Sequence, residues 1–167
     1  MLKRLLSKCA EGKTLTEEEA YEAMAAVMDG EATDSQIGGL LSMLRLRGET
    51  VDELTGFVRA MRDRMMAIDA GGDVIDTCGT GGDGAATFNV STAAAIVISS
   101  LGVKVAKHGN RAVSSKSGSA DVLERLGIDI QSSPDAAKQA LETKGLAFLF
   151  APLYHTAMKY AAGPRKE

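Results

Sequence analysis

Between Asp76 and Asn110 the chain concentrates glycines, hydroxyls and cations in a pattern suited to holding an anion. Gly79, Gly81, Gly82 and Gly84 form a loop after a short predicted strand at Val74 and Ile75. Glycines let successive backbone N–H groups converge on one concavity, the shape a phosphate fills. Asn89, Ser91 and Thr92 follow at a predicted helix start, where unpaired N–H groups and the helix dipole add positive potential. Lys107, Asn110, Arg111, Ser114, Ser115, Lys116 and Ser119 lie just beyond a second strand. Ligands of open α/β sheets bind outside such carboxyl ends. Lysine contributes a point charge, and serines and amides contribute donors. The chemistry this implies is capture of a phosphate or a pyrophosphate.

Each feature also has a plainer reading. The glycine loop would serve equally as a tight strand–helix connection; it is neither a Walker loop nor GxGxxG. Asp83 is in reach of sugar hydroxyls or a metal. One of Asn89, Ser91 and Thr92 is expected to cap the helix, and the surplus hydroxyls are what suggest phosphate oxygens or a metal's water shell. The 107–119 segment alone would pass for a solvated loop with a capped helix. His108 and His155 read as packing or hydrogen-bonding residues, and Cys78 as a small buried side chain behind the loop. Met61, Met65 and Met66 read as core or interface filler.

The elements that must position these groups fall into two regions. Residues 1–70 read as helices only. Leu2, Leu5, Leu6 and Cys9 recur at helical spacing, and Thr16 with Glu19 forms a capping box. Asp34 is expected to cap a third helix, and Thr50 with Glu53 opens a fourth carrying Leu54, Phe57, Val58, Met61 and Met65. Residues 71–167 change pattern. Strand 73–76, helix 91–101 and strand 103–106 make a βαβ unit with parallel strands. A helix over 118–126, a strand over Ile128–Ile130, a helix from Ser133-Pro134 to Thr143 and a strand over Leu146–Phe150 follow. Residues 153–162 begin another helical segment. The fold class is therefore α/β: a small all-helical domain, then a parallel α/β domain with helices on both faces. So few strands, and an ending in Gly163-Pro164-Arg165-Lys166-Glu167, make that second domain look incomplete at its C-terminus.

The bulk properties exclude several classes. The chain has 167 residues, 45% hydrophobic and 25% charged, as a globular protein does. A net charge of −3 provides no nucleic-acid footprint. Cys9 and Cys78 form neither a disulfide framework nor a metal-ligand spacing. No apolar run reaches membrane-spanning length and no signal peptide is visible, so the expected compartment is the cytoplasm.

DTCGTGGDG at 76–84, FNVSTAAA at 88–95, VAKHGNRAVSSKSGSADVLERLG at 105–127 and the GPRKE ending resemble anthranilate phosphoribosyltransferase of tryptophan biosynthesis, in order and spacing. The resemblance implies a helical domain used partly for homodimerisation and a larger α/β domain, with substrates in the cleft between them. It implies transfer of phosphoribosyl from 5-phosphoribosyl 1-diphosphate to anthranilate, with Mg2+ stabilising the departing diphosphate. An aromatic amine is unprotonated at neutral pH, so such a site needs positioning and charge stabilisation rather than a strong base. The resemblance places Gly79, Gly82, Asp83, Thr87, Asn89, Val90, Ser91, Thr92, Lys107 and Ser119 around the donor, with Ser91 also touching Mg2+. Lys107, His108, Gly109, Asn110, Arg111, Ala112, Val113, Ser114 and Ser115 would close over it. Gly79, Asn110 and Arg165 would meet anthranilate, whose carboxylate suits a guanidinium. Members of this family continue well past Glu167 and carry there the acidic pair that binds most of the magnesium. The chain is accordingly expected to be an N-terminal portion, weakly active or inactive alone. Three other readings compete: a nucleic-acid-binding paralogue without transferase activity, a pyrimidine nucleoside phosphorylase of the same fold, and a scaffold that only dimerises.

Overall fold

The computed structural model describes residues 1–79, 88–112 and 117–166, which divide into two compact units. The first joins Met1–Met65 to the segment from His155 onward, and the second is Met66–Tyr154.

The first unit contains helices α1 (Leu2–Ala10), α2 (Glu17–Met28), α3 (Asp34–Arg47) and α4 (Val51–Arg62), with a 3₁₀ turn over Thr156–Ala161. Their starts are set by local chemistry. Thr16 and Thr50 each accept from the N–H three residues on, while Glu19 and Glu53 reach back, closing the predicted boxes. The third start is corrected by one residue. Thr33, not Asp34, is the cap, because Gln36 stands at the spacing a capping box needs; Asp34 sits in the first turn. Leu5, Leu15, Ala20, Ala23, Leu40, Leu44 and Phe57 bury one core, while Ala161 joins Val27, Met28 and Ile37 in another. In that second cluster the last segment buries its apolar side on α2 and α3.

Helices α2 and α4 meet closely because Gly56 has no side chain. A Cβ there would lie 2.1 Å from the Glu17 carbonyl oxygen and 2.8 Å from the Ala20 Cβ. Backbone cannot yield as a flexible side chain does. Gly56→Ala is therefore expected to lower the thermal midpoint, at a cost of about 1–3 kcal/mol. An unchanged midpoint would show that the helices can separate freely.

The second unit contains α5 (Val90–Ser100), β1 (Val105–Gly109), α6 (Ser119–Arg125), α7 (Pro134–Lys144), β2 (Leu146–Phe150) and the short α8 (Ala151–Tyr154). β1 and β2 are parallel, in register from Val105↔Leu146 to Gly109↔Phe150. The strand expected over 73–76 contributes a single parallel bridge, Ile75↔Val105. Alternate side chains of β2 take opposite faces. Ala147 and Leu149 pack with Ala137 and Leu141 of α7, and Phe148 packs with Ala120 and Leu123 of α6. The strand expected over Ile128–Ile130 does not form. Gly127 takes a positive φ of 82°, and the Ile128 N–H donates to the Leu123 carbonyl to close α6. A helix cap thus takes the donor a strand would have used, and Ile130 is buried from a turn. Among the described residues no helix is long and apolar enough to cross a membrane.

Candidate functional site

In the second unit, the segment after Ile75 leaves the sheet while still stitched to β1. The Ala106 N–H donates to the Ile75 carbonyl at 3.0 Å, the last backbone rung on that side. Where the next rung would fall, the carboxylate of Asp76 takes over. Its Oδ1 accepts the His108 N–H at 3.2 Å, and its Oδ2 lies 3.0 Å from His108 Nδ1. The neighbouring Thr77 faces Lys107, whose Nζ lies 3.5 Å from Thr77 Oγ1. Thr77 in turn donates to the Ser91 carbonyl, 2.8 Å away in the first turn of α5. The glycine-loop strand, the lysine turn and the helix start are therefore joined at one sheet edge.

Lys107 is the unusual group. It is 2% exposed, and among the described residues no carboxylate pairs with it. Burial pushes its pKa below the ordinary lysine value, while the nearby Asp76 carboxylate pulls the other way. Thr92 is equally buried, and its hydroxyl has no partner among the described residues. Both side chains line a cavity of about 620 Å³, with Ala95, Ile96, Ala137 and Phe148 among its apolar walls. A buried ammonium held only by one long hydroxyl contact, and a buried hydroxyl with no partner among the described residues, are what an anion would satisfy.

The turn beyond β1 is braced by Asp121. Its Oδ2 accepts the Gly118 N–H at 2.8 Å and the Ala112 N–H at 3.1 Å, so one carboxylate ties Ala112 to the start of α6. Those bonds, with Arg111, hold its pKa below the ordinary aspartate value. The grip is thus complete above the usual carboxylate range and lost only as pH falls through that lowered pKa. The Arg111 guanidinium binds Asp121 and Glu124, which leaves it a structural cation here. Gly109 permits the tight turn, since a Cβ there would lie 2.1 Å from Ser119 Oγ. Ser119 and the Ala120 N–H both donate to the Asn110 carbonyl, at 3.4 and 3.2 Å.

The other expected residues distribute as follows. Asn89 precedes α5 without a side-chain cap; its amide donates instead to the Ser117 carbonyl at 3.3 Å, tying the helix start to the lysine turn. Val90 and Ser91 occupy the first turn of α5. Gly79 ends the described part of its segment, and a Cβ there would meet open space. Cys78 is exposed rather than buried behind the loop, because the chain has already left the sheet at Asp76. Arg165 is exposed and belongs to the first unit. Gly82, Asp83, Thr87, Val113, Ser114 and Ser115 lie outside the described residues. Asp76, Thr77 and Asp121 escaped attention in the sequence. The signal for Asp121 was its position three residues after Gly118, which is capping-box spacing with a glycine at the cap.

Comparison with known proteins agrees with this layout. Residues 71–167 match the glycosyl transferase family, a/b domain, and residues 3–65 match the glycosyl transferase family, helical bundle domain. The curated anthranilate phosphoribosyltransferase of Geobacillus thermodenitrificans is 92% identical over all of this chain, which spans 49% of that relative. The crystal structure of the Thermus thermophilus anthranilate phosphoribosyltransferase superposes with a TM-score of 0.85 at 44% identity, over 97% of this chain and 50% of that one. The Saccharomyces cerevisiae anthranilate phosphoribosyltransferase in complex with PRPP and Mg gives 0.88 at 26% identity, over 99% and 50%.

Proposed function

Since the chain belongs to the glycosyl transferase family, among its anthranilate phosphoribosyltransferases, we propose that it contributes the donor-binding half of such an enzyme. The reaction joins the anthranilate amine to the ribosyl carbon of 5-phosphoribosyl 1-diphosphate and releases pyrophosphate. Lys107 carries this reading, as a buried cation with no carboxylate mate among the described residues, beside the segment that leaves the sheet toward the glycine loop. Its charge and the Thr92 hydroxyl hold the anionic donor. Gly79, Asn89, Val90, Ser91, Ser119 and the amides of 107–112 shape the surround, together with Gly82, Asp83, Thr87, Val113, Ser114 and Ser115. No strong base is required, because the attacking amine is neutral and the leaving group is a stable anion; the proton that the nitrogen sheds once the C–N bond has formed passes to the released pyrophosphate or to solvent. Asn110, Gly79 and Arg165 are assigned to anthranilate.

The yeast relative holds Mg with PRPP. Among the described residues no group of His, Cys, Asp or Glu could hold a metal. Ser91, in the first turn of α5, would contribute a hydroxyl to magnesium brought in with the diphosphate, and the ion would supply neutralisation of the departing charge. Self-association through the helical unit is supported by an exposed apolar stripe, Val51, Leu54 and Val58 on α4, near Leu46 at 88% exposure. We place the chain in the cytoplasm. Nothing favours the nucleic-acid alternative, given a net charge of −3.

Calorimetry of phosphoribosyl diphosphate with magnesium, in two buffers of different ionisation enthalpy, tests the donor site. Burial lowers the Lys107 pKa, and an incoming diphosphate favours its charged form again. Binding is expected to take up a fraction of a proton that grows as pH rises from about 7 to 9, toward the ordinary lysine range. Absence of binding, or binding with no proton uptake at any pH, overturns the assignment.

A further inference from the structure

We propose that Asp76 is a positioning residue that fixes the His108 imidazole in one tautomer and sets the angle at which the two ligand-facing segments leave the sheet. The inference rests on the donor reading for its purpose, but its geometry stands without a ligand. β1 has two edges. Toward β2 its N–H groups are used from Val105, which donates to the Gly145 carbonyl at 2.8 Å. Toward Ile75 they point at alternate residues, Ala106 and then His108. Backbone satisfies the first, but by the second the neighbouring chain has turned away, which leaves that N–H to a side chain or to water. The Asp76 carboxylate supplies the missing acceptor and so lets the ladder end one residue early.

The second oxygen does something a simple cap would not. An ionised carboxylate only accepts hydrogen bonds, so the nitrogen 3.0 Å from Oδ2 must carry the proton. Asp76 thus specifies Nδ1–H and makes Nε2 the acceptor nitrogen of a neutral ring. The ring also meets Tyr154 edge-on, with centroids 6.3 Å apart, which limits its rotation. Consecutive residues on one segment meet consecutive residues on the next strand: Asp76 with His108 and Thr77 with Lys107. Because neighbours on a strand face opposite sides, the pairs clamp β1 from both faces. Both segments are therefore fastened to the same strand.

Nitrogen-15 NMR of the free protein tests this, with His155→Gln assigning the two histidines. At about pH 9, well above the ordinary imidazole range, the wild-type ring should show a protonated Nδ1 and an unprotonated Nε2. Asp76→Asn is isosteric and keeps an acceptor for the His108 N–H, but its amide must donate to the ring, so the proton should move to Nε2. Asp76→Ala removes both contacts, and the His108 N–H should then exchange with solvent at least about tenfold faster, the loss of one hydrogen bond. Affinity for phosphoribosyl diphosphate should fall in both variants, more in the alanine form. A wild-type ring protonated on Nε2, or a tautomer unmoved in Asp76→Asn, overturns the proposal whatever the binding shows. The predicted tautomers with no donor binding by any of the three proteins would uphold the pairing and sink the donor reading instead.

Discussion

Glu53→Ala is expected to cost the helical unit about 3–5 kcal/mol, the typical penalty for breaking a buried ion pair from one side. Glu53 is fully buried and collects four donors. Oε1 accepts from the Leu15 N–H at 2.8 Å and from Arg47 at 2.6 Å. Oε2 accepts from the Thr50 N–H at 2.9 Å and its hydroxyl at 3.0 Å. Truncation strands an arginine whose Nε is already unpartnered among the described residues, and it orphans two backbone donors. Burial alone would raise the Glu53 pKa, but Arg47 and the backbone donors outweigh it, and the net shift is downward. A lowered carboxylate contributes stability above its unfolded pKa and loses it as pH falls through the folded one. The gap between wild type and variant should therefore be full near neutrality and close below about pH 4. Glu53→Gln, which keeps an acceptor oxygen, should lose roughly 1–2 kcal/mol. Urea unfolding followed by far-UV circular dichroism reads all of this. A loss under about 1 kcal/mol for the alanine variant, the net worth of one ordinary hydrogen bond, would show that Arg47 finds another partner.

Glu53 also marks where sequence reading stops. Its capping role was legible, since Thr50 and Glu53 stand at the spacing a capping box requires. That the same carboxylate also pins Leu15 and Arg47 is a tertiary fact, carried by contacts 38 and 6 residues away. The α/β unit behaves similarly. Ser133-Pro134 announced α7, and the apolar run Leu146–Phe150 announced β2, because cap chemistry and continuous burial are local signals. Ile128–Ile130 carried the same apolar signal and formed a turn, since a helix cap claimed its first donor. At the candidate site, motif residues were found where chemistry is conspicuous, as with lysine and the glycines. Asp76 and Thr77 were missed because each serves a backbone group of another segment, and no spacing in the chain announces such a partner; Asp121 stood at capping-box spacing from Gly118, but nothing announced its second partner, Ala112. Arg111 shows the converse: a cation beside a ligand-facing turn, yet spent on Asp121 and Glu124.

Lys107→Met should make the protein more stable while costing it the donor. Methionine has nearly the same length without the charge and tolerates irregular surroundings. Lys107 is 2% exposed, has a hydroxyl at 3.5 Å and no carboxylate mate among the described residues, so burying its charge is only partly offset in the free protein. Replacing it by an apolar isostere is expected to raise unfolding free energy by about 1 kcal/mol or more. The sign with pH follows from a lysine lowered by burial. Below the folded pKa the ammonium is carried in both states and its full burial penalty applies. Between the folded and unfolded values that penalty fades, so the advantage of methionine should shrink as pH rises through the lowered pKa and vanish above the ordinary lysine value, about pH 10.5. Binding should move the other way. Removing a buried cation from a multiply charged anion costs about 2–5 kcal/mol, a loss of roughly 30-fold or more in calorimetric affinity for phosphoribosyl diphosphate with magnesium. Stability and affinity trading in opposite directions is the signature of a group held for a ligand rather than for the fold. A methionine variant less stable at pH 7 would mean the ammonium already has a partner, and one binding the donor normally would move the anion site elsewhere.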